Sequence, residues 1–400
     1  MVSPESGEGS AVSFARDPNC VALRSDRRGR AELPTLDSTT RKSLARQATR
    51  AVPEFLATPD SSRSFVRLLT RFDAYHRYDP ASTVVLFAPS IDPAEDSEGT
   101  ATMPIPASDP IINVPIATPF DDQDCVDHEA LVHNMELWMK TPLAGFLVGS
   151  QTGEEWFLSE EEKLQITRTV ADCLEGNRFV MGGIDCPSIT ETLRRAEAFA
   201  EAGAEMVRIR FPRGEHLIDD YFSEVLPRCP VPVLLMHQCD PARFGMAGQP
   251  AASPEVLGRI ASMDNVFGYV TDHDLRFEAR VHPHVRSDRR FWICNGSLIV
   301  QGTLIGCNGT TTAFSNVWPA ALDELLRLGM AGKFEEAMPL QRKLQKIDSV
   351  MLPWLAAGVK AALKLLGFQG MIPRRPTQPM PTDAVAELET VMRETGLLTD

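Results

Sequence analysis

Residues 111–163 read IINVPIATPFDDQDCVDHEALVHNMELWMKTPLAGFLVGSQTGEEWFLSEEEK, and this stretch decides the fold. A run rich in β-branched residues, Ile111–Ala117, is followed by an acidic turn and a helical stretch, Asp127–Lys140. A second short apolar run, Gly145–Gly149, leads through a loop to Ser159, with Glu162 three residues on. That spacing is a capping box, in which hydroxyl and carboxylate each satisfy a backbone N–H that the start of a helix leaves bare. Short apolar run, helix, short apolar run, helix is the alternation of parallel βα units.

The alternation continues outward. Further apolar runs fall at Phe179–Ile184, Met206–Phe211, Val231–Met236, Val266–Thr271, Phe291–Cys294 and around Gly302–Phe314, with helices such as Ser159–Leu174 and Ser188–Ala202, the latter closed by Gly203. With the first two, the runs predict an α/β fold, a (β/α)8 TIM barrel over residues 111–317. Past Val317 the pattern is helical only, at Pro319–Met330, Phe334–Leu352, Val359–Leu366 and Ala384–Thr395, which predicts a C-terminal helical region over 318–400. Residues 1–60 mix Ser, Pro, Gly, Arg and acids without period and predict a disordered N-terminal segment, making the N-terminal extension partly disordered. Residues 61–110 predict a small helix-strand appendage, with Phe65, Leu68, Leu69, Phe72 and Tyr75 at helical spacing, and a linker.

Composition narrows the function. At 400 residues, 43% hydrophobic and 24% charged, the chain can bury a large core, and its formal charge of -14 removes the positive field that a phosphate backbone or an anionic membrane requires. Eight cysteines stand without a CxxC pair, no apolar leader follows Met1, and no run reaches the length of a membrane span. A cytoplasmic protein is expected; the Arg- and Ser-rich start leaves mitochondrial import as an alternative that Glu5, Glu8 and Asp17 oppose.

With Thr118-Pro119-Phe120, Val126-Asp127, Thr152-Gly153-Glu154 and Leu158-Ser159 at their spacing, the chain resembles the dihydrodipicolinate synthase and N-acetylneuraminate lyase superfamily. The resemblance runs on through TETLRRAEAFAEAGAEMV, NVFGYV and GVKAALKLLGF, covering roughly Ile111 to Leu398. It implies a class I aldolase in which a lysine on the sixth strand forms a Schiff base with a 2-oxo acid. NVFGYV places Val270 at that lysine position, and no lysine lies between Lys163 and Lys333, so strands three to eight hold no amine nucleophile. Lys140 and Lys163 fall on outer helices. The family's strand-five tyrosine aligns with Met236, the tyrosine pair after strand four with Arg213-Gly214, and the paired hydroxyls of the carboxylate loop with Gln151-Thr152, followed by Gly153. The resemblance also implies a homo-oligomer, a dimer or tetramer.

Candidate chemistry then comes from residue parity. In strand four Val207, Ile209 and Phe211 share one face, so Arg208 and Arg210 share the other and point inward, where they would clamp an anion or pair with a carboxylate such as Asp185. If Val270 faces inward, so does Asp272, one layer nearer the mouth, as a general base or acid. His237 ends strand five as a second proton-transfer candidate, although parity with Met236 turns it outward; His273 stands similarly. His237, Asp272, His273, His282 and His284 lack ligand spacing, so no metal and no cofactor is expected. Cys186 and Cys294 read as packed thiols. The expected function is a lyase, hydratase or cyclase acting on a small anionic (oxo) acid by arginine-anchored acid–base chemistry, in a specialised-metabolism setting by analogy. Arg208, Arg210, Gln151, Thr152 and Gly153 would bind the substrate, and Asp272 and His237 would act on it. The rival reading is a catalytically dead barrel serving as a binding or scaffold subunit.

Overall fold

The computed structural model describes residues 109–400, except 187, 213–214, 239–249, 273 and 400, together with a short antiparallel ladder, Arg24–Ser25 with Ala31–Glu32. The chain divides into two units, Met1–Asp96 and Ser97–Asp400. The rest of the expected disordered segment and the appendage up to residue 108 lie outside the described residues.

Among the described residues, eight parallel strands close into a barrel: β1 (Ile111–Pro115), β2 (Gly145–Val148), β3 (Phe179–Ile184), β4 (Met206–Arg210), β5 (Val233–Gln238), β6 (Val266–Asp272), β7 (Arg290–Ile293) and β8 (Gly309–Thr311). Each strand pairs with the next in sequence, and β8 closes on β1 through Gly309 beside Ile111. The helices between them are α1 (His128–Trp138), α2 (Glu160–Asp172), α3 (Ile189–Glu201), α4 (Glu215–Arg228), α5 (Pro254–Ala261), α6 (Leu275–Val281) and α7 (Ile299–Leu304). The capping box at Ser159 forms as its spacing requires, and Asp127 caps α1 by accepting the Ala130 N–H.

The last apolar run behaves differently from its reading. Gly302 belongs to α7, and only Gly309–Thr311 pairs as a strand, because the chain turns at Gly306, whose φ is +99°. Strand β5 extends through Gln238, two residues past its expected end. In the tail, α8 (Pro319–Met330), α9 (Phe334–Met351), α10 (Leu355–Leu365) and α11 (Thr382–Thr395) follow the periodicity, with α10 starting four residues early.

Strand alternation divides the apolar residues into two bodies. Val114, Phe146, Val180, Ile209, Leu235 and Phe291 face outward into the layer shared with the helices, which also holds Leu344, Ile347 and Leu388 of the tail. Inside the barrel, Phe179, Met181, Met206, Leu234, Met236, Val270 and Trp292 form a separate apolar plug. Burying each such side chain stabilises by about 1.5–3 kcal/mol. The interior is therefore a packed core below, and chemistry is confined to the layer above it.

Two backbone features shape that upper layer. Gly183 on β3 has no room for a Cβ, which would lie 2.0 Å from the Gly149 carbonyl oxygen and 2.6 Å from an Arg208 guanidinium nitrogen. From the tail side of the same mouth, Leu355 starts α10 at φ 50° and ψ -129°, a conformation that costs a leucine about 1–3 kcal/mol. The turn before α10 is tight, since a Cβ on Gly358 would meet the Met351 carbonyl oxygen at 2.0 Å. Gly183→Ala is expected to destabilise the protein by about 1–3 kcal/mol, because the clash is with buried backbone that cannot yield. Urea unfolding checks this; an unchanged midpoint would contradict the packing described.

Candidate active site at the barrel mouth

A cavity of about 210 Å³ opens at the carboxyl ends of the strands. Strand residues Arg208, Arg210, Met236 and Asp272 line it, together with Ser150, Gln151 and Thr152 of the β2–α2 loop, Cys294 to Gly296 after β7, and Asp348, Leu352, Leu355, Ala356 and Val359 from the tail.

Arg208 and Arg210 both point inward, as parity requires, and they are buried. Two like charges side by side in a barrel need compensation, since an unpaired buried charge costs several kcal/mol. Asp185, just past β3, bridges them, with one carboxylate oxygen on each guanidinium. Glu155 of the β2–α2 loop completes the square, its Oε1 accepting from Arg210 at 3.1 Å and its Oε2 lying 3.5 Å from Arg208. Arg208 also donates to the Gly149 carbonyl at 2.8 Å, and Arg210 sits 5.9 Å from the Trp156 ring centroid.

The two carboxyls titrate apart. Burial raises Glu155, the Asp185 charge adds to that, and the two arginines do not overcome it, so its affinity for a proton is above the usual carboxylate range. Burial also acts on Asp185, but Arg208 and Arg210 outweigh it and hold the group below its ordinary value. The two guanidinium cations are thus faced by two carboxyls of unequal proton affinity, Asp185 being the stronger acid and Glu155 the weaker.

The other expected site residues separate. Asp272 lines the cavity from the inner face of β6, and Gln151 and Thr152 line it from the loop. Gly153 does not: its N–H donates to Ser150 Oγ at 3.2 Å within the loop and its carbonyl accepts from Thr118 Oγ1, beyond β1, at 2.8 Å, so its backbone is already engaged. His237 also departs from its expected role. It is buried in the layer outside the barrel, where Nδ1 lies 2.7 Å from Glu278 Oε1, Nε2 accepts the Ala251 N–H at 3.1 Å, and the ring packs near Phe211 and Phe277. The physical reason is parity: β5 continues past His237, so Met236 takes the inner face. His273 and the Arg213-Gly214 pair lie outside the described residues.

Three features were not read from the sequence. Glu155 is one; its signal was that two inward arginines need more than one carboxylate. Asp348 on α9 is another, lining the cavity and accepting from Ser297 Oγ, with burial raising its proton affinity. Leu344, Ile347, Asp348 and Met351 share the buried face of α9, so an acid on an apolar stripe was the available sign. The third is Lys360, fully buried on α10. Its ammonium donates to Glu154 and to the Ile372 carbonyl and lies 4.3 Å from the Phe120 ring centroid.

Among the described residues no lysine lines the cavity. Lys140 lies at the outer surface beside Glu136 and Asp172. Lys163 on α2 is half-buried; desolvation lowers its pKa, and Glu155 and Asp185 pull the other way. Val270 sits at the inner face of β6 within the apolar plug. Cys294 borders the cavity, and burial, reinforced by Asp272, keeps it a thiol by raising it well above its ordinary value. Among the described residues no group of three His, Cys, Asp or Glu is placed to hold a metal ion, and no helix is long and apolar enough to cross a membrane.

A parallel eight-stranded barrel whose charged cavity opens at the carboxyl ends of its strands has the layout on which barrel lyases place their chemistry. The chain belongs to the dihydrodipicolinate synthetase family, whose model matches residues 110–395. It is 25% identical over 285 residues to the 4-hydroxy-tetrahydrodipicolinate synthase of an Exiguobacterium species, covering 70% of this chain and 95% of that protein. A DapA-like lyase of Halobacterium salinarum, itself uncharacterised, is 27% identical over 295 residues, covering 71% and 93%. Among solved structures, a monomeric dihydrodipicolinate synthase variant shares the fold, with a TM-score of 0.66, 24% identity and coverage of 73% of this chain and 98% of that one.

Lys360 gives a prediction with a definite sign. Burial, against the pull of Glu154, lowers its pKa to about 8, whereas an unfolded lysine titrates near about 10.4. Between those values the unfolded chain binds the extra proton, so stability rises with pH in that window. Unfolding free energies of the wild type and Lys360→Met, measured at about pH 7.5 and about pH 10, should move apart in the wild type's favour at the higher pH.

Proposed function

We propose that this chain is a lyase-type enzyme, of the carbon–carbon or carbon–oxygen class, that acts on a small anionic organic acid without a lysine Schiff base. One observation carries the reading: the cavity is lined by two guanidinium groups and two carboxyls and, among the described residues, by no amine. The resemblance implies that relatives capture a 2-oxo acid as an imine, which serves as their electron sink. Here Val270 stands at the aligned position, and that route is closed.

Fixed charge takes over the imine's task. Arg210, with Arg208 behind it, holds the carboxylate or the developing oxyanion of the substrate, and its guanidinium stabilises an enolate where it forms. Gln151 and Thr152 supply further hydrogen bonds at the loop side of the cavity. Asp272 moves the proton at the carbon next to the carbonyl, and Asp348, whose proton affinity burial raises, returns one to the leaving group. The reading includes a homo-oligomer as the working form.

A second reading has its own support. Both arginine charges are already paired, bridged by Asp185 and Glu155, as a catalytically dead barrel retained as a binding or scaffold subunit would keep them. Proton NMR separates the two. The protein is incubated in heavy water with a panel of 2-oxo and 2-hydroxy acids, and exchange or conversion of at least one acid is expected. Asp272→Asn should slow that reaction about 10²–10⁴-fold. Binding of an acid with no exchange or turnover anywhere in the panel is the outcome that favours the subunit.

A further inference from the structure

Resting on the reading of the cavity as an organic-acid site, we propose that its substrate carries an apolar group, aryl or branched alkyl, which lies against Leu352 and Leu355 while its carboxylate faces Arg210.

The lining divides by origin. The barrel strands contribute Arg208, Arg210 and Asp272, whereas the tail contributes Leu352, Leu355, Ala356 and Val359. A ligand spanning this cavity meets charge on one wall and hydrocarbon on the other. The space of about 210 Å³ equals roughly seven waters at about 30 Å³ each, more than a three-carbon acid fills.

Two of the apolar residues are not explained by the packing of the chain itself. Leu352 is 44% exposed and Leu355 57%, while Val359, one turn further along α10, is 1% exposed. The exposed pair sits at the cavity, and Leu355 is held there at a positive φ that leucine disfavours. Gly358, one turn into α10, packs directly against the Met351 carbonyl and the Trp354 side chain that precede it. A strained backbone that presents a leucine to water is a cost to the empty protein, and strain of this kind gathers where a ligand is clamped. An apolar group covering the two side chains removes the hydration part of that cost. A polyhydroxylated chain would instead set hydroxyls against leucine and valine without partners, which is unfavourable. Pyruvate, having only a methyl group, would leave the leucine wall uncovered.

Isothermal titration of the full chain with two probes that share one head group, pyruvate and phenylpyruvate, tests this. Phenylpyruvate should bind the wild type at least about tenfold more tightly, the discrimination an apolar pocket gives for added hydrocarbon. The double variant Leu352→Ser, Leu355→Ser changes only exposed side chains, so a melting curve close to the wild type's is expected, and the preference should fall below about threefold. Equal affinities in the wild type would overturn the apolar-group inference while leaving the organic-acid reading in place. Binding of neither probe would remove both. A preference that survives the double variant would show that the leucine wall does not create it. A change in molecular mass by light scattering on introducing the serines would instead assign these leucines to contact between copies of the chain, and would likewise overturn the inference.

Discussion

Two guanidinium groups on one inner strand face govern what this barrel can do. Arg208 and Arg210 are driven inward because Val207, Ile209 and Phe211 occupy the helix side of β4, and once inside they must be neutralised. Asp185 arrives from the neighbouring strand's end and Glu155 from the loop after β2, so three successive βα units are tied to one electrostatic knot. Gly183 belongs to the same arrangement, since only a residue without a side chain lets the Gly149 carbonyl and the Arg208 guanidinium come as close as they do. Burial is the largest influence on both carboxyls, and they differ because Arg208 and Arg210 outweigh it at Asp185 and do not at Glu155.

The β2–α2 loop links this knot to the tail. Adjacent residues are engaged in different ways: Glu155 joins the arginines, whereas Glu154, at φ 58°, binds the buried Lys360 and accepts the Arg374 N–H at 3.0 Å. Arg374 also reaches Glu162, the residue that closes the capping box of α2. The C-terminal helices therefore roof the mouth of the barrel, and they supply one wall of the cavity, including Asp348. A chain cut before α9 would lose that wall as well as the anchor of the loop.

The barrel was legible in the sequence because parallel strands covered by helices leave apolar runs at regular intervals, and the two arginines of β4 were legible through period-two parity against their apolar neighbours. His237 yielded to the same rule once β5 proved to extend beyond it. The short final strand was blurred because apolar α7 and Gly309–Thr311 read as one run, although Gly306 turns the chain between them. Asp348 showed only as an acid on an apolar stripe, and Lys360 not at all, for a different reason. Their meaning depends on where the tail docks, and no local pattern in α9 or α10 states which part of the barrel they approach. Glu155 lies between these cases, since a compensating acid was required by charge while its identity was set by the fold of the loop.

The central claim is that no amine meets the substrate. Lys360 is the sharpest challenge to it, being buried, its pKa lowered to about 8, and next in sequence to Val359 of the cavity wall. Incubation of the full chain with pyruvate and borohydride, followed by intact-mass and peptide mass spectrometry, addresses the claim directly. The account predicts an unmodified chain, because every described amine lies outside the cavity and Lys360 is engaged by Glu154. A reduced adduct mapped to Lys140, Lys163, Lys360 or any other lysine would contradict it and restore imine chemistry to this barrel.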